Sequence, residues 1–280
     1  MEILINNNIS SNYNLRNYNA SIAIFDNNKY TNKINLEDSI NLLLCYRKQY
    51  INQKSNLELI INNKIEYKDN KLIITLSDDI KIFGNIEDDL EDPRFVFINN
   101  DIYILYSLYK CDKYYYVIPK MESLNNNIFD INKYINNNIE KNWSIFENNN
   151  NLYIVYSFTP NFILYENNNI IINKIFDKLN IDDTLFRCGT SPIIINNKLY
   201  FFGHTVVGIN KNRIYRLSLV ILDINTFDII DYYYNIDHKL NNEICIYCRG
   251  AIYIENLNIF LLSVGVNDIS FDFIAIKNIF

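Results

Sequence analysis

The sequence predicts an all-β fold, a single five-bladed β-propeller. Apolar runs of four to eight residues, rich in Ile, Val, Tyr and Phe, recur between turns rich in Asn, Asp and Lys, a pattern that is typical of strands. One phrase is repeated along the chain: a polar head, an apolar strand, an Asn-rich turn and a second apolar strand. Its equivalent residues Tyr103, Tyr153 and Tyr200 are 50 and 47 residues apart, the length of a four-stranded propeller blade.

The copies of this phrase divide the chain into blades. The clear copies are DPRFVFINNDIYILYS, KNWSIFENNNNLYIVYS, GTSPIIINNKLYFFGH and RGAIYIENLNIFLLSV, and a looser first copy is NASIAIFDNNKY. The predicted blades cover residues 13–90, 91–139, 140–186, 187–242 and 243–280, and residues 1–12 are expected to add a closing strand to the last blade. Short helices are expected only at Glu37–Leu44 and around Asp130–Ile139. The rival fold, a β-sandwich with insertions, is disfavoured by the regular repeat.

The composition excludes several classes of function. The formal net charge of −6 argues against a nucleic-acid-binding protein, which would present a basic surface. No window reaches the roughly 18 apolar residues that a membrane span needs, and the N-terminus lacks the pattern of a signal peptide. We therefore expect a cytoplasmic protein without nucleic-acid or membrane partners. The abundance of Asn, Ile, Tyr and Lys is typical of an AT-rich genome, so the Asn runs are interpreted as loop filler.

Cysteine and histidine usage predicts neither disulfides nor a metal site. The five cysteines are an odd number scattered through apolar runs, as expected of free thiols in a core. Cys245 and Cys248 form one CxxC pair with no second pair and no histidine at ligand spacing, whereas zinc needs four ligands. No cofactor is expected, because the sequence contains no Gly-rich phosphate loop and no GxSxG or HExxH motif.

The polar heads of the five repeats predict one shared site. In a propeller the innermost strand of each blade runs beside the central channel, so equivalent strand ends gather at one mouth. The heads are Asn19-Ala20-Ser21, Glu91-Asp92-Pro93-Arg94, Glu140-Lys141-Asn142-Trp143, Arg187-Cys188-Gly189-Thr190 and Cys248-Arg249-Gly250. They are the most polar residues of their blades, and we expect them to form the active site at that mouth.

Three motifs, in their order and spacing, resemble those of glycoside hydrolase family 130. They are Glu91-Asp92-Pro93-Arg94, the Gly189-Thr190-Ser191-Pro192 segment ending in Gly203-His204, and Gly265-Val266-Asn267-Asp268. That family consists of five-bladed propellers acting on β-mannosides, and it includes phosphorylases, hydrolases and mannosyltransferases. The EKNW head at residues 140–143 resembles that of a divergent glycosidase-like group, and the likeness extends over roughly residues 15–280. The resemblance implies a carbohydrate-active enzyme whose ligand is a mannose-like carbohydrate or a sugar nucleotide.

By this resemblance, Asp92 is the general acid that protonates the glycosidic oxygen. Glu91 lies next to it, and like-charge repulsion between the two carboxylates is expected to raise the pKa of Asp92. The alternative is a structural Asp92 that caps the turn before Pro93 and pairs with Arg94. The expected position at the channel mouth favours the catalytic role, with Glu91 and Arg94 as substrate contacts.

The same matching gives candidates in the fourth and fifth blades. His204 is implied as a phosphate or sugar contact, and Arg187 would direct a fixed positive charge towards the mouth. Gly189 and Thr190 mark a place where backbone approaches a ligand closely. Asp268 corresponds to the aspartate of the family's last-blade motif, with an Asn-Asp turn between the final strands as the alternative.

The first and third blades supply the remaining candidates. Trp143, the only tryptophan, is a candidate platform for the apolar face of a sugar ring, and a core tryptophan between blades is the alternative. Lys141 and Asn142 are candidates to bind hydroxyl groups or an anion. In the first blade the further candidates are Asn19, Ser21 and Arg47.

One departure from the family pattern affects the expected reaction. Phosphorolytic members carry a pair of arginines flanking the third-blade strands, where this chain has Lys141 and the Ser157-Phe158 segment. Orthophosphate would be poorly held, so glycosyl transfer or hydrolysis is preferred over phosphorolysis. Hydrolysis needs a base, for which Glu140 and Asp268 are the candidates. The alternative function is a catalytically inactive propeller that binds glycans or protein partners.

Overall fold

The computed structural model describes most of the chain. The residues described are 2–9, 15–26, 29–37, 39–50, 54–69, 71–84, 88–111, 115–124, 127–131, 141–167, 169–177, 185–207, 214–236, 246–267 and 269–277. Within these residues the backbone forms five sheets, each built mainly of antiparallel strands. Their arrangement is a five-bladed β-propeller, which confirms the predicted fold class.

The first three sheets follow one another along the chain. The first contains β2 (Leu15–Asp26), β3 (Lys29–Thr31), β5 (Ser39–Tyr50), β6 (Ser55–Lys68), β7 (Lys71–Thr75) and β8 (Ile80–Phe83). The second contains β9 (Asp89–Ile98), β10 (Asp101–Cys111) and β11 (Tyr115–Ser123). The third contains β12 (Ser144–Asn148), β13 (Asn151–Ser157), β14 (Phe162–Glu166) and β15 (Asn169–Lys174).

The last two sheets complete the ring. The fourth contains β16 (Leu185–Cys188), β17 (Ile193–Ile195), β18 (Lys198–Val207), β19 (Ile214–Asp223) and β20 (Ile229–Tyr233). The fifth contains β1 (Glu2–Ile9), β4 (Lys33–Ile34), β21 (Ile246–Ile254), β22 (Ile259–Val266) and β23 (Ser270–Lys277). A 3-10 turn spans Glu255–Leu257. The described residues include no helix long and apolar enough to cross a membrane.

The two ends of the chain meet in the fifth sheet. Strand β1 pairs with β23 antiparallel, with Glu2 opposite Lys277 and Asn6 opposite Phe273. The strand nearest the N-terminus therefore belongs to the same blade as the strand nearest the C-terminus. This pairing confirms the closing strand expected from residues 1–12. Its backbone hydrogen bonds close the ring of blades.

The helix expected at Glu37–Leu44 is wrong. Residues from Ser39 onward form β5, which pairs with β2 on one side and β6 on the other. Pairing on both edges satisfies most backbone donors and acceptors of this central strand, and this outweighs the helical propensity of its leucines. Of the second expected helix, residues 132–139 lie outside the described part of the chain, and Asp130 and Ile131 are not helical.

The Asn pairs of the repeat have a more specific role than loop filler. Asn99-Asn100, Asn149-Asn150 and Asn196-Asn197 each connect two strands, and all six residues have positive φ, between 48° and 63°. Two positive-φ residues in a two-residue hairpin define a type I′ turn, whose twist matches that of the flanking strands. Asn adopts this left-handed conformation at lower cost than other residues with a Cβ atom. The repeated Asn pairs thus fix the register of three hairpins.

Small polar side chains fasten the blades to one another around the axis. Ser21 Oγ accepts a hydrogen bond from the backbone N–H of Phe95, at 3.0 Å. Ser191 Oγ donates to the carbonyl of Phe95 at 2.9 Å, and Ser263 Oγ donates to the carbonyl of Ala20 at 2.6 Å. All three hydroxyl groups belong to buried residues. They satisfy backbone groups that would otherwise be buried without partners, so the blades meet in one fixed arrangement.

Candidate active site

The innermost strands of three blades are interrupted by β-bulges at equivalent positions. In β2 the pairing with β5 shifts between Tyr18 and Ser21, and in β9 the pairing with β10 shifts between Glu91 and Arg94. In β21 the pairing with β22 shifts around Arg249. Bulges bend a strand and redirect its side chains, and they are common beside active sites. The polar heads of the repeat are therefore places where regular pairing stops.

Three residues of the polar heads take up unusual backbone conformations. Asn19 and Asp92, in two of the bulges, both have φ of 54°, and Asn142, two positions before β12, has φ of 67°. A left-handed residue with a side chain is strained unless its surroundings hold it in place, and such residues concentrate at functional sites. The strain turns three polar side chains from three different blades towards one point.

Asp92 lies at the centre of a network contributed by several blades. Its Oδ1 accepts a hydrogen bond from Nδ2 of Asn19 at 2.7 Å, and its Oδ2 accepts one from a guanidinium nitrogen of Arg249 at 3.0 Å. Arg249 also donates to Oδ1 of Asn142 at 3.1 Å. Asn19, Asp92 and Arg249 are 4–6 % exposed, so this ion pair is shielded from water and strengthened by its surroundings.

Arg94 is not the hydrogen-bonding partner of Asp92. Its guanidinium donates to the carbonyl of Trp143 at 2.7 Å and to Oδ1 of Asn142 at 3.1 Å. The pairing of Asp92 with Arg94, considered as the structural alternative, is thus replaced by a pairing with Arg249, which is 157 residues away. Arg94 instead joins the second blade to the third.

A cavity of about 280 Å³ opens beside this network. Eleven residues line it: Asn19, Arg47, Glu91, Asp92, Lys141, Asn142, Arg187, His204, Tyr215, Tyr247 and Arg249. Four of these side chains are cationic and two are carboxylates, in a chain whose net charge is −6. A local excess of positive charge in an acidic protein favours a ligand that carries an anionic group.

Glu91 faces the same cavity in a different environment from Asp92. It forms an ion pair with Arg47, whose Nε also donates to Ser55 Oγ at 2.8 Å. Burial raises the pKa of Glu91; Arg47 opposes this effect and the neighbouring charge of Asp92 adds to it. The two adjacent carboxyl groups are therefore driven in opposite directions, which is a common feature of catalytic carboxyl pairs.

The expected raised pKa of Asp92 is wrong. Burial does act to raise the pKa of this carboxyl, but Arg249, Arg94 and Lys141 outweigh it and lower the pKa to about 2. Nearby cations favour the charged form of an acid more strongly than one adjacent carboxylate disfavours it. Asp92 is consequently ionised at neutral pH while its pairing with Arg249 persists.

His204 forms part of an aromatic wall of the cavity. Its ring lies 5.6 Å from that of Tyr215 and 5.4 Å from that of Tyr247. The residue is buried, and within the described part of the chain its Nδ1 has no hydrogen-bond partner. Burial, together with the charges of Arg249 and Arg187, places the pKa of His204 well below its usual value. The imidazole is therefore neutral at pH 7.

We expect the ring of His204 to remain neutral throughout the physiological range. Its ¹H and ¹⁵N signals should not titrate around pH 6.5, where those of an exposed histidine do. Because only the unfolded chain takes up the proton, His204 should reduce the free energy of unfolding as the pH falls below about 6.5. The signals of His204 are identified by their absence from the spectrum of the His204→Gln variant. A ring that titrates near pH 6.5 would contradict the buried, cation-flanked environment.

A second cavity adjoins the first. It measures about 260 Å³, and its lining residues are Lys141, Asn142, Tyr156, Ser157, Phe158, Thr159, Phe186, Arg187 and Cys188. Lys141, Asn142 and Arg187 belong to both cavities. These three residues therefore form a shared wall between the channel mouth and a space between the third and fourth blades.

Several expected site residues lie in the core or at blade junctions. Trp143 is 1 % exposed and packs against Tyr156 at a ring distance of 5.3 Å, which corresponds to the alternative of a core tryptophan. Ser21 bonds to the second blade, as described above. The hydroxyl of Thr190 donates to the carbonyl of Phe202 at 3.2 Å, so this residue stabilises the fourth blade.

Gly189 marks a close approach between two blades. A Cβ atom at this position would lie 1.9 Å from the carbonyl oxygen of Cys248. Sequence analysis expected a glycine that admits a ligand, whereas the group found against Gly189 is the backbone of the fifth blade. Of the remaining candidates, Glu140 and Asp268 lie outside the described residues.

Two residues of the cavity, Tyr215 and Tyr247, were not predicted from the sequence. Arg249 was predicted only as a member of its polar head, without a role of its own. Tyr247 lies two positions before Arg249 on β21. It is one of 23 tyrosines in the chain, so nothing in the sequence distinguished it as a site residue. Tyr215 lies on β19, outside the repeated phrase, and only the folding of the fourth blade brings it to the cavity.

Comparison with solved structures gives the same fold. The GDP-Man-dependent mannosyltransferase MPT-1 from Leishmania mexicana superimposes with a TM-score of 0.63 at 14 % identity, covering 94 % of this chain and 85 % of that one. A glycosyl hydrolase from Bacteroides ovatus gives a TM-score of 0.55 at 12 % identity, with 94 % and 84 % covered. No family profile and no curated protein matches the sequence.

A third structure connects this fold to the family named above. It comes from the GH130 family of mannoside phosphorylases, which contains glycoside hydrolases that target β-1,2 mannosidic linkages in Candida mannan. Its TM-score is 0.55 at 10 % identity, and the superposition covers 94 % of this chain and 84 % of that one. The resemblance inferred from the motifs is confirmed for the fold, a five-bladed propeller that spans nearly the whole chain.

Proposed function

We propose that this protein is a carbohydrate-active enzyme that transfers or cleaves a mannose-like glycosyl unit in the cavity around Asp92. The observation that carries the proposal is the convergence of Asn19, Asp92, Asn142 and Arg249 from four blades at one cavity that also contains Glu91. A structural scaffold has no need of strained backbone and two adjacent carboxyl groups, one buried and one partly buried, at one mouth. The fold likeness to a mannosyltransferase and to glycosidases agrees with this class.

Among the possible reactions, transfer from a phosphate-activated sugar has the strongest support. A general acid works best with a pKa near the operating pH, whereas the cations around Asp92 keep it ionised well below neutrality. A nucleoside phosphate leaves as a stable anion without needing a proton. Arg249, Arg187 and Lys141 lie where they would stabilise the charge on such a leaving group.

Hydrolysis of a glycoside is the second candidate, and it gives Asp92 the role of general acid. An anionic or hydroxyl-rich ligand that draws Arg249 away from Asp92 would remove a major cation from this buried carboxyl. Its pKa would then rise, because burial alone disfavours the charged form. Glu140 and Asp268 remain the proposed bases for activating water.

The proposal is tested with a panel of donors. Purified protein is incubated with GDP-mannose, UDP-sugars and manno-oligosaccharides, with and without phosphate, and products are scored by mass spectrometry. Consumption of a sugar nucleotide or a manno-oligosaccharide is the expected result, without stimulation by phosphate. Formation of a sugar phosphate only when phosphate is present would overturn the preference for transfer or hydrolysis.

A binding propeller without activity is the remaining alternative. It is favoured by the closed network of Asp92, in which both carboxylate oxygens already accept hydrogen bonds. If the protein only binds its ligand, calorimetry will show that a sugar or nucleotide of the panel binds, and mass spectrometry will recover that compound unchanged.

A further inference from the structure

Two buried arginines meet beside Asp92. Arg94 lies on β9 of the second blade and Arg249 on β21 of the fifth, and they are 3 % and 4 % exposed. Burial and the charge of Arg249 lower the pKa of Arg94 to about 9, so the two guanidinium groups repel one another. Among the described contacts, Asp92 accepts a hydrogen bond from Arg249 but not from Arg94. The pair of cations therefore needs a further group to hold it in place.

One oxygen atom lies between these two arginines. Oδ1 of Asn142 accepts a hydrogen bond from Arg94 and another from Arg249, each at 3.1 Å. A guanidinium group has donors and no acceptor, so the side-chain oxygen of Asn142, and not its nitrogen, faces both. The left-handed backbone of Asn142, with φ of 67°, directs the amide group to this position.

Arg249 is fixed at two of its nitrogens. One terminal nitrogen donates to Oδ2 of Asp92 at 3.0 Å, and the other donates to Oδ1 of Asn142 at 3.1 Å. Its Nε has no hydrogen-bond partner within the described residues. Because the guanidinium is a rigid plane, the bond to Asn142 fixes the direction in which the bond to Asp92 points.

The amide group at position 142 is neutral, and this has a consequence for Asp92. A carboxylate in its place would attract both arginines more strongly, because hydrogen bonds between charged groups are shorter and stronger than those to neutral groups. It would then compete with Asp92 for Arg249. An amide oxygen orients the guanidinium without neutralising it, so the full charge of Arg249 acts on Asp92.

We propose that Asn142 is a positioning residue, whose side-chain oxygen holds the guanidinium group of Arg249 against the carboxylate of Asp92. The consequence for turnover rests on the proposed function, whereas the contact itself does not. Of the cations near Asp92, Arg249 lowers the pKa of this carboxyl the most. The charged and titratable groups that interact with Asp92 are Arg47, Glu91, Arg94, Lys141, His204 and Arg249.

The first variant removes the oxygen without changing the charge. Gly adopts positive φ readily, so Asn142→Gly keeps the backbone and deletes the acceptor shared by both arginines. The pKa of Asp92, about 2 in the wild-type protein, should rise by at least about one unit, because its main cation is no longer fixed. The titration is followed by ¹³C NMR of the carboxyl groups, and Asp92→Asn identifies the signal. An unchanged pKa of Asp92 would overturn the proposal.

A double variant tests whether Asn142 acts through Arg249. In Arg249→Gln the cation is absent, so the addition of Asn142→Gly should raise the pKa of Asp92 no further. A second rise as large as the one in Asn142→Gly alone would show that Asn142 acts by another route, and this would overturn the proposal.

Asn142→Asp separates positioning from stability, and it needs no change at Arg249. The new carboxylate still accepts from both arginines, so the melting temperature at pH 7 should rise by a few degrees, whereas that of Asn142→Gly should fall. The pKa of Asp92 should rise in both variants, because Arg249 is drawn away in one and released in the other. A residue with a structural role alone would shift stability without this common rise, and that result would overturn the proposal.

The matched control is Asn150→Asp. Asn150 is an exposed residue of the same blade with φ of 62°, so its replacement adds the same charge in the same backbone conformation. Its melting temperature and the pKa of Asp92 should match those of the wild type. An equal rise of that pKa in the control would overturn a specific role for position 142.

Turnover connects the inference to the proposed function. In transfer, the ionised carboxylate of Asp92 accepts the proton of the acceptor hydroxyl, so activity falls as the pH falls through its pKa. The acidic limb of the pH–rate profile should therefore move to higher pH in Asn142→Gly by the same amount as the pKa of Asp92. Wild-type protein without turnover would overturn the proposed function, whereas a raised pKa of Asp92 in Asn142→Gly would still support the positioning role.

Discussion

Replacing Asp92 with Asn is expected to lower turnover by about 10²–10⁴-fold, the usual range for losing a catalytic acid or base. In transfer the ionised carboxylate can accept the proton of the acceptor hydroxyl, and in hydrolysis it would act as the acid. The carboxylate lies between Asn19 and Arg249 at the head of the cavity. Asn keeps the shape and tolerates the left-handed backbone at φ 54°, so the fold should persist. Arg249 loses its ionic partner, and the melting temperature should fall by several degrees. Turnover is measured with the substrate identified by mass spectrometry.

The control for this variant is Asp101→Asn. Asp101 is an exposed aspartate on the neighbouring strand of the same blade, so its replacement changes the net charge equally without touching the cavity. Its turnover and melting temperature should match those of the wild type. Normal turnover by the Asp92→Asn protein would remove Asp92 from the mechanism.

Replacing Gly189 with Ala is expected to prevent stable folding. The new Cβ atom would lie 1.9 Å from the carbonyl oxygen of Cys248 and 2.9 Å from its carbonyl carbon, far inside van der Waals contact. Both groups are backbone, so relief requires the fourth and fifth blades to move apart. A domain has only about 5–15 kcal/mol of net stability to lose. Soluble yield, circular dichroism and thermal denaturation are the measurements.

Cys188→Ala is the matched control, one position earlier in the chain. It removes the Cys188 sulfur, which hydrogen-bonds to the carbonyl of Thr190 at 3.3 Å, and introduces no new atoms. A loss of roughly 0.5–3 kcal/mol, typical of a single buried substitution, is expected with the fold retained. A Gly189→Ala protein as stable as Cys188→Ala would show that the two blades tolerate separation at this point.

The repeat and its hairpins could be predicted from local sequence, and the closing strand from the ring that a propeller must complete. Strand alternation and Asn-rich turns are properties of neighbouring residues, and type I′ turns at Asn99-Asn100 and its equivalents fix register within each hairpin. The helix wrongly predicted at Glu37–Leu44 has a non-local cause. The segment after Ser39 is a strand because partners exist on both its edges, and one of those partners, β6, follows it in the chain.

For the candidate site, sequence alone determined which residues could meet, because the repeat phase places Asn19, Asp92, Asn142 and Arg249 at equivalent heads. The tertiary structure decided how they meet. Asp92 pairs with a guanidinium 157 residues away rather than with Arg94. Its pKa falls instead of rising because cations brought close by the fold outweigh the effect of burial. Trp143 lies in the core, because the packing of the blades determines which side chains of a polar head face the cavity and which are buried.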